Sequence, residues 1–301
     1  MSLSMEQTAA LVERIKLESD LRNALVAGDL VLRYQPIVEL GGGRILAFET
    51  LCRWRHWSKG LLGPADFLPL AEETGLLVPI GGWVLEESCR RLASWRSRLS
   101  GTAGIAVTVN LSALELRDGG LVDRAAQALD ASGLPAGHLI VEVREADAYA
   151  EPQSPAIRNL QGLTDLGVGV AVDDVGAPRP GNRSGLPDPD GWLWTLPIRL
   201  VKVDRGVAPR LADAGRADRI VSLALNLAAE RGVPAVAKGV ETADQLARLH
   251  RLGCPAGQGF LFARPMDPAD TEGYLRRLSG LAASAPASLR AFRPSAASRP
   301  H

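Results

Sequence analysis

Short apolar runs typical of buried strands alternate with amphipathic helical segments along most of this 301-residue chain. Beyond the first hundred residues the strand-like runs are 105–109, 139–143, 169–174, 198–203, 233–237 and 259–262. The helical segments lie around 85–99, 121–131, 155–166, 218–231 and 242–252. Repeated strand–helix units predict a parallel sheet, and this many units in one domain favour a closed α/β barrel over an open sheet.

The first fifty residues depart from this alternation. Residues 5–27 carry apolar side chains at helical spacing among charges, and Gly28 follows as a stop signal. Two strands, 30–38 and 45–51, are joined by a glycine turn, which predicts a hairpin. The helix could be the end of a connector from an upstream domain or a partner-binding coil. We therefore expect a helix or connector over 1–20, a barrel domain over 21–280 and a disordered tail over 281–301.

The composition excludes several classes of protein. Basic and acidic residues balance at 34 each, which argues against a broad nucleic-acid surface, so no DNA partner is expected. Three widely spaced cysteines predict neither a disulfide framework nor a zinc ribbon, and the four histidines form no ligand-like pair. Without a disulfide framework, a reducing, cytoplasmic location is expected. No apolar run is long enough to span a bilayer, and the N-terminus lacks the order of a signal peptide.

Two adjacent carboxylates, Asp173 and Asp174, end the valine-rich strand that begins at Gly169. Neighbouring strand residues point to opposite faces, so one carboxylate can face a barrel interior while the other bends toward the next loop. Two carboxylates at one strand end are costly unless a cation or protons are present. The alternative is an Asp that caps the next helix beside a solvated neighbour. An irregular, proline-rich stretch over 177–189 follows, and loops of this kind are usually functional or disordered.

Polar residues recur at the carboxyl ends of the predicted strands, which converge on one mouth in a strand–helix barrel. They are Glu49, Asn110, Glu142, Asp173, Asp174, Lys202, Asp204, Lys238 and Gln258. Oxygen-rich ligands around one mouth suit a hard divalent cation such as Mg²⁺ or Mn²⁺. Each residue alone could equally be a helix cap or a salt-bridge partner, so the metal hypothesis depends on their recurrence.

At these positions the chain resembles the EAL domains of bacterial cyclic di-GMP signalling, in order, over about residues 20–270. The matching motifs are Gln35-Pro36-Ile37-Val38, Glu49-Thr50-Leu51-Cys52-Arg53-Trp54, Phe67-Leu68-Pro69-Leu70-Ala71-Glu72-Glu73-Thr74-Gly75, Val109-Asn110-Leu111-Ser112, Glu142-Val143-Arg144-Glu145, Asp173-Asp174, Lys202-Val203-Asp204-Arg205, Gly239-Val240-Glu241-Thr242 and Gln258-Gly259-Phe260-Leu261-Phe262. The resemblance implies a modified TIM barrel whose first strand runs antiparallel. It also implies a phosphodiesterase that opens cyclic di-GMP to the linear dinucleotide pGpG with two divalent metals.

The same resemblance assigns metal ligands. Glu49, Asn110, Glu142 and Asp173 would hold the first ion. Asp173 would bridge to the second ion, and Asp174 would help to bind it. Two ions on either side of a phosphate can stabilise both the attacking and the leaving oxygen of an in-line displacement.

The resemblance also implies roles for residues around the metals. Lys202 would orient the attacking water or stabilise the developing phosphorane charge. Gln35 and Arg53 would contact the dinucleotide, and Gln258 would line the site. Glu145 would anchor the loop that follows the two aspartates.

The sequence departs from the family pattern at the second metal. Lys238 stands where the family has an acidic residue that is both a metal ligand and a candidate general base. The signature Glu-Ala-Leu is Glu-Thr-Leu at 49–51, which keeps the glutamate ligand. The loop after the two aspartates has a different sequence from the family, and the segment that separates them from Lys202 is longer by about eight residues. A lysine within about 4 Å of a second divalent ion would be repelled by roughly 8 kcal/mol at an effective dielectric of about 20. We therefore predict one ion or none.

Three functions remain in competition. The sequence favours a degenerate EAL domain with little or no hydrolysis that acts as a cyclic di-GMP receptor or a regulatory interaction module. The alternative is an active metal-dependent phosphodiesterase that produces pGpG, with Lys238 turned to solvent. In a third interpretation the barrel no longer binds the nucleotide and serves only as a docking surface for a protein partner. Relatives often pair, so a homodimer is also an open expectation.

Overall fold

The computed structural model describes residues 5–144, 147, 154–177, 192–209 and 215–283. Within them the strands are β1 (Leu30–Glu39), β2 (Ile45–His56), β3 (Gly60–Leu62), β4 (Ala106–Leu111), β5 (Leu139–Arg144), β6 (Gly169–Val175), β7 (Ile198–Val203), β8 (Ala235–Lys238) and β9 (Ala256–Gln258). The α-helices are α1 (Met5–Ala27), α2 (Pro64–Glu73), α3 (Leu77–Arg98), α4 (Ala113–Arg117), α5 (Leu121–Ser132), α6 (Pro155–Asp165), α7 (Arg216–Glu230), α8 (Ala243–Arg251) and α9 (Pro268–Ala283). Short 3₁₀ helices cover Ala136–His138 and Trp192–Thr195.

The sheet closes into a barrel. Strand β1 pairs antiparallel with both β2 and β9, and the pairings from β2 and β4 through β9 are parallel. Strand β3 extends from β2 as a short antiparallel hairpin outside the closed ring. The predicted α/β barrel with an antiparallel first strand is therefore confirmed. The hairpin at the start of the barrel is confirmed as well, with β2 five residues longer than predicted, because it continues to His56.

The interior of the barrel is built in layers by the two-residue alternation of strand side chains. Its floor is a separate apolar cluster with one residue from each strand of the ring: Ile37, Ala47, Ala106, Ile140, Ala171, Leu200, Val236 and Ala256. The outward faces of the same strands join the helices in a larger core. Two residues beyond each floor position, toward the carboxyl ends of the parallel strands, every ring strand carries a polar residue.

The predicted last strand over 259–262 was wrong. The strand is β9 (Ala256–Gln258), and the chain turns immediately afterwards, with the amides of Phe262 and Ala263 bonded back to the carbonyl of Gly259. A Cβ on Gly259 would lie 2.0 Å from the carbonyl oxygen of Val240, so this turn requires glycine. The aromatic residues that suggested a strand therefore belong to a loop.

Helix α1 is confirmed, and it ends before Gly28 with its φ of 79°. It runs without interruption past residue 20, and Leu21 and Ala24 are buried in the main core. Ion pairs from Glu13 to Lys59 and from Arg14 to Glu73 also tie the helix to the barrel. The boundary predicted at residue 20 thus falls inside one packed helix.

The predicted loop over 177–189 lies outside the described residues from position 178 onward, as does the predicted tail from position 284. The short strand β3 and the helices α2, α4 and α9 were not predicted. Among the residues that the structure describes, none of the helices has the length and apolar character needed to cross a membrane.

Candidate functional site

The polar layer above the barrel floor gathers most of the predicted site residues at one mouth. Its members are Gln35, Glu49, Thr108, Glu142, Asp173, Lys202, Lys238 and Gln258. Of these, Thr108, Glu142, Lys202 and Gln258 are almost completely buried. Burial of this many polar groups is tolerated only when they bond to one another or to a ligand.

Lys202 lies at the centre of this layer with no exposed surface. Its Nζ donates to Glu142 Oε1 and Oε2 at 2.6 and 2.7 Å, and to Glu49 Oε2 at 2.8 Å. Although burial disfavours the charged amine, the carboxylates of Glu142 and Glu49 outweigh it and raise the pKa of Lys202 above its usual value. The lysine is thus a fixed cation shared by two buried carboxylates.

The two carboxylates around Lys202 respond in opposite directions. Burial opposes ionisation of Glu49, yet the charges of Lys202 and Lys238 and hydrogen bonds from Lys202 and Asn110 lower its pKa to about 2. Burial and the charge of Glu49 raise the pKa of Glu142 to about 7, against the opposing effect of Lys202. One ammonium cannot fully compensate two buried carboxylates, so the second of them holds its proton more tightly.

Glu49 also connects the amide side chains of the site. Its Oε1 accepts from Asn110 Nδ2 at 3.0 Å, and its Oε2 accepts from Gln258 Nε2 at 2.6 Å. Gln258 Nε2 also lies 3.3 Å from Gln35 Oε1, while Gln35 Nε2 donates to the carbonyl of Ala263 at 3.1 Å. Gln258 Oε1 is buried without a hydrogen-bond partner, which leaves an acceptor for a donor from a ligand.

A second lysine in the layer lies on β8, the strand next to that of Lys202. Lys238 Nζ donates to Asp173 Oδ1 at 2.6 Å and to Asp174 Oδ1 at 2.5 Å. Burial opposes its charge, but the two aspartates raise the pKa of Lys238 above its ordinary value. Asp174 has a φ of 55°, the only positive value among the described residues other than glycine. This backbone turn brings its carboxylate round to the same ammonium as that of Asp173.

Arg53 lies on β2, four residues beyond Glu49 and with the same strand parity. It is half-buried, and its Nη1 donates to the carbonyl of Cys52 at 2.8 Å. Burial is the main cause of the lowered pKa of Arg53; the charge of nearby Arg33 adds to it, while Cys52 and Glu49 act in the opposite direction. The predicted loop anchor Glu145 lies outside the described residues, so its role stays a prediction.

Arg33 was not among the site residues predicted from the sequence. It precedes Gln35 by two residues on β1, so its side chain leaves the strand on the same side as that of Gln35. Its Nη1 lies 3.2 Å from Asp267 Oδ2, at the start of α9. The parity with Gln35 could have indicated Arg33, but its partner Asp267 lies more than two hundred positions away and could not be inferred from local spacing.

Comparison with known proteins identifies the family. The family model of the EAL domain matches residues 18–265, which is most of the chain. The chain belongs to the EAL domain family. It is 42% identical over 258 residues to the bifunctional diguanylate cyclase/cyclic di-GMP phosphodiesterase MucR of Pseudomonas aeruginosa, a match that covers 86% of this chain and 36% of MucR. It is 38% identical over 264 residues to the cyclic di-GMP phosphodiesterase NbdA of the same organism, covering 88% of this chain and 32% of NbdA.

Solved EAL structures share the fold. The MucR phosphodiesterase in complex with cyclic di-GMP superposes with a TM-score of 0.77 at 40% identity, covering 85% of this chain and 99% of that structure. The FimX EAL domain of Pseudomonas aeruginosa bound to cyclic di-GMP gives a TM-score of 0.69 at 25% identity, and the match covers 83% of this chain and 96% of the FimX domain. This EAL chain spans about a third of the length of the curated relatives MucR and NbdA.

EAL domains are metal-dependent, generally with Mg²⁺ or Mn²⁺. In the part of this EAL chain that the structure describes, no three histidine, cysteine or acidic side chains are arranged to hold a metal ion. The residues expected to hold the first ion, Glu49, Asn110, Glu142 and Asp173, have the oxygen chemistry that a hard cation prefers. The second site does not fit, because the Lys238 ammonium lies between Asp173 and Asp174.

Proposed function

We propose that this EAL domain is a cyclic di-GMP receptor with little or no hydrolytic activity. The observation that carries the proposal is the position of Lys238, whose Nζ lies 2.6 Å from Asp173 Oδ1 and 2.5 Å from Asp174 Oδ1. An ammonium in that position contributes a fixed positive charge where the family pattern has a metal ligand. It also satisfies both aspartates without an ion.

Hydrolysis loses two contributions at once in this arrangement. A protonated lysine cannot accept a proton from water, and general-base catalysis is typically worth about 10²–10⁴ in rate. A second divalent cation would meet the ammonium of Lys238 at close range and be repelled. Glu49, Glu142, Asp173 and Asp174 against Lys202 and Lys238 leave a formal charge of about −2. One divalent ion at most would neutralise it.

Binding has more support than turnover. Gln35, Gln258 and Glu49 form one connected network at the mouth, and the buried Gln258 Oε1 offers an unpaired acceptor. A guanine base presents N–H donors that could bond to such an acceptor. Arg53 adds a half-buried cation on β2 that suits a phosphodiester oxygen. These features match a nucleotide with two guanines and two phosphates, which is the ligand in the MucR and FimX complexes.

An active phosphodiesterase is the second candidate. It is favoured by the retention of Glu49, Asn110, Glu142, Asp173 and Lys202 at one mouth, and by the 42% identity to MucR. Under this alternative the Lys238 side chain, which is 14% exposed, turns outward when a metal binds. A docking role for the barrel surface, a protein partner and a homodimer stay predictions.

Calorimetric titration of the purified chain with cyclic di-GMP tests the receptor. We expect binding in excess EDTA and little change with Mn²⁺, because the lysine takes the place of an ion. The substitution Gln258→Ala at the mouth should weaken binding, while Arg44→Met at the opposite end of the barrel should not. No binding at high micromolar ligand, with or without metal, would leave the docking role instead.

Chromatographic detection of pGpG separates the receptor from the enzyme. Wild-type protein with Mn²⁺ should form little or no product over hours, and Glu49→Ala gives the background. Lys238→Glu restores an acid at this position and should raise the rate, whereas Lys238→Met should not. Rapid turnover by the wild type that Glu49→Ala abolishes would contradict the receptor proposal.

A further inference from the structure

Two arginines share the mouth-facing side of the β1–β2 hairpin. Arg33 is paired in register with Leu51, and Arg53 lies two residues further along β2, paired with Val31. In an antiparallel pair such diagonal neighbours lie about 7–8 Å apart, within reach of long side chains. Since β1 runs antiparallel to the parallel strands, its first residues lie at the same mouth as the last residues of β2. Both guanidiniums therefore lie above the polar layer.

The charges around the two arginines differ. Arg33 pairs with Asp267 at 3.2 Å, and its side chain is 25% exposed. Arg53 forms no ion pair with a carboxylate among the described residues, and its guanidinium bonds only to a main-chain carbonyl. Close approach of two cations is unfavourable, and although Arg33 is paired with Asp267, its charge contributes to the lowered pKa of Arg53, after the larger effect of burial. An anion between them would remove this repulsion.

We propose that Arg33 and Arg53 together form a clamp for one phosphate of the bound nucleotide, with Asp267 as the partner that Arg33 exchanges for the phosphate. This inference rests on the proposed function, and it adds Arg33, a residue outside the EAL motifs, to the residues that contact the ligand. It accounts for how an anionic ligand could enter a mouth whose acids outnumber its lysines. With Asp267 counted, the two arginines bring the formal charge of the mouth from about −2 to about −1.

Asp267 is suited to release the arginine. Its Oδ1 accepts a hydrogen bond from the amide of Asp270, and this bond caps the N-terminus of α9. Its Oδ2 faces Arg33. Its main-chain oxygen accepts from Thr271. The capping bonds therefore hold Asp267 in place when Arg33 leaves. An asparagine at this position can cap the helix equally well and removes only the charge that competes with the phosphate.

The test is calorimetric titration with cyclic di-GMP in EDTA, at several salt concentrations, for wild type, Arg33→Met, Asp267→Asn and Arg44→Met. Arg44 is a matched control, because it also pairs with a carboxylate, Glu39, but lies at the β1–β2 turn at the other end of the barrel. We expect Arg33→Met to weaken binding by at least about tenfold and to lessen its salt dependence. Asp267→Asn should tighten binding by about two- to fivefold, and Arg44→Met should leave it unchanged.

The outcomes separate the clamp from a structural role. If Arg33 only neutralises Asp267, then Arg33→Met lowers the melting temperature, Asp267→Asn restores it in the double variant, and affinity stays at the wild-type value throughout. That result, with the wild type binding normally, would overturn the clamp and leave the receptor proposal intact. Absence of binding by the wild type would overturn both.

Discussion

Lys202 and Glu142 form a fully buried ion pair at the centre of the barrel, with Nζ 2.6 and 2.7 Å from the two carboxylate oxygens. In the same layer, Lys238 forms ion pairs with Asp173 and Asp174. The mouth of the barrel thus contains two lysine-centred clusters rather than one open ring of acids. Its stability, its pH response and its affinity for cations all follow from how these clusters share charge.

Replacing Lys202 by methionine should destabilise the fold severely. The substitution leaves Glu49 and Glu142 buried beside each other without their cation, and breaking a buried pair in this way costs about 3–5 kcal/mol. Urea unfolding would measure the change. Lys59→Met is the matched control, because Lys59 makes an exposed ion pair with Glu13 and its loss should change stability by less than about 1 kcal/mol. Equal small effects of both substitutions would contradict the central role of Lys202.

The stability of the fold should fall as pH rises from about 5 to 8 through the titration of Glu142. Its pKa is about 7 in the folded chain against an ordinary value of 4.5, so the folded state binds this proton more tightly than the unfolded chain does. The resulting stabilisation is fully present below about 4.5 and is lost as pH rises through about 7. The slope from one group cannot exceed roughly 1.4 kcal/mol per pH unit.

Glu142→Gln provides the comparison for that pH dependence. Glutamine cannot titrate, so the unfolding free energy of the variant should vary less between pH 5 and 8 than that of the wild type. Glu49 acts in a different range, because its pKa of about 2 makes its contribution present above its ordinary value of 4.5 and lost only in acid. If urea unfolding gives parallel pH profiles for both proteins, Glu142 is ionised throughout this range.

The sequence was sufficient for the layers of the barrel but not for the contacts within them. Their positions at the carboxyl ends of parallel strands predict that Glu49, Glu142, Asp173 and Lys202 share one mouth, and the structure brings them together there. The carboxylates with which each lysine pairs depend on strand stagger and side-chain length, and these cannot be deduced from a local sequence pattern. The pair of Arg33 and Asp267 is another such case, because it joins the first strand to the last helix.

Manganese should stabilise Lys238→Glu much more than the wild type. The acid removes the ammonium and adds an oxygen ligand beside Asp173 and Asp174, whereas Lys238→Met removes the charge and adds no ligand. A ligand at about a hundred times its dissociation constant adds roughly 2.7 kcal/mol, which corresponds to a rise on the order of 5 °C in melting temperature for a domain of this size. Thermal melts with increasing Mn²⁺ would show the shift. A comparable rise for the wild type would mean that Lys238 leaves its aspartates readily.

Gly259→Ala should disrupt the turn that follows Gln258. The added Cβ would lie 2.0 Å from the carbonyl oxygen and 2.4 Å from the amide nitrogen of Val240, and backbone atoms at that distance cannot give way as a flexible side chain would. Overpacking of this kind typically costs about 1–3 kcal/mol, and the displaced strand end should also weaken cyclic di-GMP binding through Gln258. Gly41→Ala is the matched control, since a Cβ added there would meet nothing within 4 Å. Urea unfolding and ligand titration of both variants would measure the two effects, and wild-type behaviour of Gly259→Ala would show that the turn can rearrange without cost to the site.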